Sequence, residues 1–241
     1  MRRRLVRPSA FTLVELMIVI GIVALLAGLL LPALSRVREG ARAVACLSNL
    51  RQWSSALHIY ADTNGGCLPR RGQGWVPAAR VDVVQNPYDW FNALPPILGM
   101  DPYGKLSAEH RISRPGSRPD VWLCPDAIDT VAPANFFGYA MNMGLSVWAA
   151  DGPDRITRIG EASTMVFLTD APGPNCSTWP TAKPRPYNPA ARHAGRVNIA
   201  FVDGHVASFT AADAGIGVGA ADTDNLSWRV PGSTWPGPPD Q

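Results

Sequence analysis

An unbroken apolar run opens the hydrophobic pattern of this chain. Residues 11–31 carry one charge, Glu15, and the first proline after them is Pro32. At ~1.5 Å per residue, a helix of this length covers the ~30 Å hydrocarbon core of a bilayer. A short basic segment, residues 1–10, precedes the run and contains no acid. The pattern therefore predicts one membrane-spanning helix over residues 11–31.

Beyond Pro32 the apolar residues recur at spacings of three and four, which predicts an amphipathic helix facing a core. They are Leu34, Val37, Ala41, Val44, Leu47, Leu50, Leu57 and Ala61. Pro32 removes one backbone donor, so it predicts a kink more than a stop. Asn64-Gly65-Gly66 is a strong helix-stop signal. We expect one helix over residues 11–62, whose second part, residues 34–62, packs on a globular domain.

The rest of the chain, residues 63–241, holds 19 of the 22 glycines and 21 of the 23 prolines. It predicts a loop-rich domain with a helical turn or two before residue 120 and a brief strand over residues 121–125. A buried strand is expected over residues 164–170. The tail after Thr210 is expected to be mostly irregular, with Trp228 and Trp235 as anchors.

A β-hairpin is predicted over residues 197–209, because Asp203-Gly204 separates two short apolar segments. A two-residue turn would pair Phe201 with Val206 and Ile199 with Ser208. That register places Val197, Ile199, Phe201 and Val206 on one core-facing side of the sheet. His205 would then lie at the surface, on the opposite face from Phe201.

Charge and cysteine content narrow the class of protein. The net charge is +3, but the first ten residues hold four of the 22 basic residues, leaving 18 against 19 acidic ones. A nearly neutral chain gives no electrostatic case for binding nucleic acid. Those arginines predict a cytoplasmic N-terminus and an extracytoplasmic domain. There, Cys46, Cys67, Cys124 and Cys176 could form disulfides, in any of three pairings.

The segment Ser9-Ala10-Phe11-Thr12-Leu13-Val14-Glu15-Leu16, after its basic leader, resembles the start of a type IV pilin or pseudopilin precursor. A Sec signal peptide has its small-residue cleavage site after the apolar run, not before it. The resemblance implies that a prepilin peptidase cuts between Ala10 and Phe11 and methylates the new amine. Ala10 stands where the family usually has glycine.

Glu15 is a costly residue in a membrane span, since insertion scales give ~2.5–3.5 kcal/mol for an acid deep in a bilayer. In a bundle of such helices, the freed amine of Phe11 on a neighbouring subunit is the nearest cation for this carboxylate. The alternative is a carboxylate near the headgroups, where it costs little.

A second resemblance is carried by Cys46-Leu47-Ser48-Asn49-Leu50-Arg51-Gln52, by Leu123-Cys124-Pro125 and by the segment 137–142. These segments look like those of bacterial pilin-like proteins with a processing-associated H-X9-DG tail. Nine residues separate His193 from Asp203-Gly204, which reproduces that motif. His193 and Asp203 could be a metal-ligand or proton-transfer pair, but Asp-Gly is also what a tight turn requires, and we favour that structural role.

Together these patterns predict an α+β fold, with a long N-terminal helix packed on a small antiparallel sheet, and the resemblance implies that this fold is pilin-like. We expect a pseudopilin-type subunit of a type II secretion or type IV pilus-like fibre, in the bacterial inner membrane until assembly. Its partners would be a prepilin peptidase and other pilin-like subunits, which it would contact through the N-terminal helix.

We expect no enzymatic activity, since G-x-S-x-G, H-E-x-x-H and P-loop motifs are missing. No cofactor is expected: there is no CxxC zinc-ribbon motif, and four histidines are few for a His-based zinc site. Calcium is a weaker idea, because the candidate ligands Asp170, Asp203, Asp213, Asp222 and Asp224 have no calcium-loop spacing. The alternative function is a membrane-anchored extracytoplasmic binding or hydrolase domain that uses His193 and Asp203.

Overall fold

The structure, a computed structural model, describes residues 12–72, 87–108, 121–127, 137–145, 155–173, 175–185, 187–220, 223–231 and 233. Ala10, Phe11, Asp222 and Trp235, which the sequence singles out, lie outside these residues. The chain divides into two compact units, Met1–Ala41 and Arg42–Gln241. The fold is pilin-like and α+β, with a long N-terminal helix and a mixed sheet.

Helix α1 spans Leu13–Thr63 without a break, as the sequence predicts, and Pro32 lies inside it. Its apolar half is long and apolar enough to cross a membrane. The helix ends where glycine accepts a left-handed backbone: Gly65 and Gly66 have φ of 64° and 80°. The amide of Gly66 donates to the carbonyl of Ala61 over 2.7 Å, which satisfies one of the last helical carbonyls.

Only the last third of α1 is buried against the globular unit. Its buried side chains follow helical spacing and include Cys46, Leu50, Trp53, Leu57 and Tyr60. Leu50, Leu57 and Ala61 of the predicted apolar face are among the buried positions. Leu34, Val37 and Val44 of that face are exposed, by 46%, 67% and 63% of their surface. The predicted core-facing stripe therefore holds only towards the C-terminal end of the helix.

The segment between α1 and the sheet forms short helical turns, as predicted. Helix α2 spans Trp90–Ala93, a 3-10 turn spans Pro95–Leu98, and helix α3 spans Tyr103–Ala108. The strand predicted over residues 121–125 is wrong: residues 121–124 form a turn, and Pro125 begins a 3-10 turn, Pro125–Ala127. Proline favours the first position of a helical turn and cannot donate to a sheet ladder.

The sheet has five strands in the order β3-β1-β2-β4-β5: β1 (Phe137–Asn142), β2 (Val166–Gly173), β3 (Ser177–Thr178), β4 (Arg196–Phe201) and β5 (Val206–Thr210). All pairs are antiparallel except β1 with β3, which is parallel. The two-residue β3 thus makes the sheet mixed, where the sequence predicted an antiparallel one.

The predicted hairpin forms from β4 and β5, but its register differs by one residue. Ala200, not Phe201, pairs with Val206, and the amide of Phe201 donates to the carbonyl of His205 over 2.9 Å. The amide of Gly204 donates to the carbonyl of Phe201, and Gly204 has a φ of 98°. This is a three-residue loop with glycine at its left-handed position, rather than a two-residue turn.

Both faces of the sheet are covered, and the shifted register decides which residues face which side. Ala200, Val202 and Val206 belong to the core that includes the buried end of α1. Val197, Ile199 and Phe201 belong to a second core that the tail closes with Leu226 and Trp228. Val206 therefore lies on the opposite face from Phe201, contrary to the prediction. Trp228 is fully buried, so it anchors the tail as expected.

Candidate functional site

The start of α1 carries a reciprocal pair of hydrogen bonds between Thr12 and Glu15. The amide and the hydroxyl of Thr12 donate to Oε2 of Glu15 over 2.9 and 2.8 Å. The amide of Glu15 donates to the Thr12 hydroxyl oxygen over 3.2 Å. This is a capping box, which satisfies orphan donors at the first helical turn. Glu15 thus has a local structural role, and the sequence signal for it, Thr-x-x-Glu, is visible in residues 12–15.

The helix that follows presents apolar side chains around its whole circumference. The large apolar residues from Leu13 to Leu31 are exposed by 49–72% of their surface. A helix that is apolar all round needs lipid or other helices to cover it. The single charge in this surface is Glu15, in the first turn of the helix.

A second, buried constellation lies in the globular unit, where four distant segments meet. Cys46 comes from α1, Cys124 from the turn before the Pro125–Ala127 segment, Asp170 from the central strand β2, and His193 from the loop before β4. Their ligand atoms all lie within 4.8 Å of one another, and all four residues are buried. We call this group of four the buried cluster.

Short polar contacts join the members of the buried cluster. Nε2 of His193 lies 3.2 Å from Sγ of Cys124 and 3.5 Å from Oδ2 of Asp170. The thiol of Cys46 donates to Oδ1 of Asp170 over 2.9 Å. The amide of Asn198 donates to Oδ2 of Asp170 over 2.9 Å, which fixes the orientation of the carboxylate.

Two further side chains support the buried cluster from outside. Oδ2 of Asp126 lies 2.7 Å from Nδ1 of His193, on the ring side away from the cysteines. Nδ1 of His193 has no hydrogen-bond partner in the structure, so its contact with Asp126 is one of charge and proximity. The hydroxyl of Tyr139, on β1, donates to Sγ of Cys46 over 3.3 Å.

Burial and mutual contact shift the pKa values of all four groups of the buried cluster. Burial raises the pKa of Cys46, while the hydrogen bond available from Cys46 lowers the pKa of Cys124 to about 5, against the effect of burial. Burial raises the pKa of Asp170 to about 7. For His193, burial acts downwards, but contact with Cys124 and Asp170 raises the pKa to about 9. The shifts favour the thiolate at Cys124 over Cys46 and favour a proton on His193.

This geometry matches two kinds of site, a nucleophile with its base and a metal site. In the first, Cys124 would be a nucleophile, His193 its base and Asp126 the carboxylate that orients the imidazole, since His193 contacts both of the other residues. However, Cys124 has none of its surface exposed and His193 only 5%, so no substrate reaches the sulfur in this structure. A set of four N, S and O ligand atoms around one point suits a bound metal ion instead.

The H-X9-DG residues do not form one site. His193 belongs to the buried cluster, whereas Asp203 is exposed at the hairpin loop. Oδ1 of Asp203 accepts a hydrogen bond from the amide of His205 and lies 2.6 Å from Nδ1 of the same residue. His205 is at the surface, as predicted, but its ring stacks on Phe201 with centroids 4.1 Å apart. Asp203 and Gly204 thus shape the loop, and His193 has separate partners.

None of the four cysteines, all of which lie in the described residues, forms a disulfide. Cys46 and Cys124 share the buried cluster, while Cys67 is half-buried and Cys176 is buried elsewhere. Burial raises the pKa of Cys176 to about 12, so this thiol stays protonated. Of the proposed calcium ligands, Asp170 is fully buried in the cluster, and Asp213 is exposed and bonded to the Thr210 hydroxyl.

The sequence does not show that the separate segments that resemble the H-X9-DG proteins meet in the folded chain. Cys46, Cys124 and His193 each lie in a different one of these segments, and Tyr139 lies in a fourth. Cys46 and Cys124 each follow apolar residues, which is a signal of burial, but His193 stands between Arg192 and Ala194-Gly195 and carries no such signal. Asp126 gave no such signal, because nothing in Pro125-Asp126-Ala127 indicates which residue its carboxylate meets.

Comparison with known families finds one match, to the prokaryotic N-terminal methylation motif, over residues 7–31. No curated protein and no solved structure matches the chain. The matched residues hold the predicted cleavage position, the capping box and the exposed apolar half of α1. The match does not extend to the H-X9-DG segment. The match covers 25 of the 241 residues, so it shows the motif at the N-terminus. This motif indicates a type IV pilin-like substrate of a prepilin peptidase, and the long apolar helix that follows it suggests membrane anchoring.

Proposed function

We propose that this chain is a pseudopilin-type structural subunit, cut after Ala10, methylated on Phe11 and assembled into a type II secretion or type IV pilus-like fibre. The observation that carries the proposal is the methylation motif over residues 7–31, joined to a helix whose apolar half is exposed all round. An enzyme would need neither feature.

The architecture of α1 supports assembly through this helix. The helix is continuous from Leu13 to Thr63, so one helix carries both the exposed apolar side chains and, towards its end, the face buried in the globular unit. Side-by-side packing of such helices covers the apolar side chains once they leave the lipid. The globular unit then decorates the fibre and presents whatever surface binds the cargo or target.

Glu15 has two roles in this proposal, and they are separable. It caps the first turn of its own helix through Thr12. Its negative charge also meets the methylated amine of Phe11 on a neighbouring subunit, where water is excluded. The capping role needs only a hydrogen-bond acceptor, which glutamine also supplies. The pairing role needs the charge.

Co-expression with a prepilin peptidase tests the processing step. Intact-mass analysis of the detergent-extracted protein should show loss of residues 1–10 and one methyl group on Phe11. A peptidase with its catalytic residues inactivated is the control and should leave Met1 in place. Recovery of the uncut chain from cells with active peptidase would overturn the proposal.

The residue before the cut provides a matched pair of variants. Ala10→Gly restores the residue usual in the family and should be cut faster than the parent chain. Ala10→Leu places a large side chain at the same position and should block cutting. Equal processing of Ala10→Leu and the parent would show that cleavage, if it occurs, lies elsewhere.

A further inference from the structure

We propose that Cys46, Cys124, Asp170 and His193 form a structural zinc site that ties α1 to the sheet. This inference is independent of processing and assembly, because all four residues belong to the globular unit. Two thiolates, one imidazole nitrogen and one carboxylate oxygen are a ligand set that zinc takes readily, whereas calcium and magnesium take oxygen ligands.

The ligand atoms lie close enough together to share one ion, since all are within 4.8 Å of one another. Bonds of ~2.0–2.3 Å to a central zinc place the ligand atoms roughly 3.3–3.8 Å apart. Nε2 of His193 lies 3.2 Å from Sγ of Cys124 and 3.5 Å from Oδ2 of Asp170. Sγ of Cys46 lies 2.9 Å from Oδ1 of Asp170 and would move outward by less than about 1 Å to accept an ion.

The groups around the ligands are arranged as zinc sites require. A zinc-bound histidine usually presents its second ring nitrogen to a carboxylate, which holds the proton there and leaves the other nitrogen for the metal. Oδ2 of Asp126 lies 2.7 Å from Nδ1 of His193, close enough to accept its proton after a small rotation, while Nε2 faces Sγ of Cys124. The Tyr139 hydroxyl and the Asn198 amide donate to Cys46 and Asp170, which orients those two ligands.

Burial gives the ion a structural rather than a catalytic task. The exposed fractions of Cys46, Cys124 and Asp170 are 0%, and that of His193 is 5%. Four protein ligands leave zinc no open position for a water or a substrate. The ligands come from residues 46, 124, 170 and 193, so the ion would cross-link segments far apart in the chain, two of them in loops.

Metal analysis of the full-length chain in detergent tests the proposal. Protein prepared with a reductant and without chelator should contain equimolar zinc by mass spectrometry. Replacement of zinc by cobalt should give a thiolate charge-transfer band and intense visible bands typical of tetrahedral coordination. Free thiols without bound metal, or a mass lower by two hydrogens that maps to a Cys46–Cys124 disulfide, would overturn it.

Variants separate this site from adventitious binding. Cys124→Ser and His193→Ala should each lower zinc occupancy, and Asp126→Asn should weaken zinc affinity by about 10–100-fold, as loss of a supporting carboxylate does. Cys67→Ser, which removes a cysteine outside the cluster, should retain the full zinc content. Circular dichroism shows whether each variant folds, and the cobalt spectrum of the parent chain decides the proposal even if some do not. Zinc content unchanged in both Cys124→Ser and His193→Ala would contradict it.

Discussion

The thiol of Cys46 on α1 donates a hydrogen bond over 2.9 Å to the carboxylate of Asp170 on the central strand. The same carboxylate accepts from the Asn198 amide on the neighbouring strand. One fully buried acid therefore joins the long helix to the middle of the sheet. Buried donors left without an acceptor cost ~1–3 kcal/mol each, so the acceptor role of Asp170 should be measurable.

We predict that Asp170→Leu destabilises the globular unit by about 2–4 kcal/mol, because it leaves two buried donors without an acceptor. Asp170→Asn keeps one acceptor oxygen at the same place and should cost less than Asp170→Leu. Thermal unfolding of the full-length chain in detergent, with reductant and chelator present, measures the cost in the absence of metal. Equal stability of Asp170→Leu and the parent would show that the carboxylate contributes nothing as an acceptor.

Gly204 should be the least replaceable residue of the hairpin loop, for two reasons. Its φ of 98° strains any other residue, and a Cβ there would lie 3.2 Å from Nε2 of His58 on α1. We predict that Gly204→Val destabilises the globular unit by ~1 kcal/mol or more. Thermal unfolding measures the loss.

Gly195 supplies a matched control for Gly204. It has a φ of 78°, but a Cβ there would meet nothing within 4 Å. Gly195→Val therefore reports backbone strain alone, and Gly204→Val should cost more than it does. If the order is reversed, the hairpin loop does not pack against α1 as described.

Asp89 predicts a pH dependence of stability. It is buried beside Arg70, with 3.7 Å between Nε and the carboxylate, and burial raises the pKa of Asp89 to about 6, although Arg70 acts downwards. The folded state thus binds this proton more tightly than the unfolded state, whose pKa is near 3.9. The contribution of Asp89 is most favourable below about pH 4 and is lost as the pH rises through about 6.

We therefore predict that Asp89→Asn is more stable than the parent at pH 8, by up to about 3 kcal/mol, with little difference near pH 4. Thermal unfolding of both proteins from pH 4 to 8 checks this. Asp62→Asn, at an exposed position of α1, controls for the loss of one negative charge. A stability difference that is constant over this range would contradict the burial of an ionised Asp89.

Helix α1 could be predicted from the sequence, because a long apolar run and then apolar residues three and four positions apart both indicate a helix. The end of the helix at Asn64-Gly65-Gly66 could also be predicted, because it depends on the backbone preferences of those residues alone. The point along α1 at which burial begins could not be predicted, because residue spacing does not show which part of the helix the globular unit covers. Leu34 and Leu50 fit the same stripe, yet only Leu50 is buried.

The hairpin illustrates a different limit. Asp203-Gly204 predicts a turn, but turns of two and three residues use the same dipeptide. A one-residue change in register moved Val206 to the other face of the sheet. The buried cluster lay beyond prediction for a third reason. Its residues are separated by at least 23 positions in sequence, so only tertiary structure brings Cys46, Cys124, Asp170 and His193 together.

The central claim is that this chain assembles through its N-terminal helix, with the charge of Glu15 meeting a neighbour's amine. The capping box offers a competing explanation, in which Glu15 only secures its own helix start. Glu15→Gln separates the two, because glutamine keeps a capping acceptor and loses the charge. Glu15→Leu loses both. Each variant should still insert in the membrane and be cut after Ala10.

The most direct measurement is the fraction of each processed subunit recovered in fibres, or crosslinked to neighbouring subunits, in a host with the complete assembly machinery. A charge left alone in a low-dielectric bundle costs ~3–5 kcal/mol, so both variants should fall at least about tenfold below the parent. Assembly of Glu15→Gln at the level of the parent would contradict the account, whatever Glu15→Leu does, since the charge would then have no part in joining subunits.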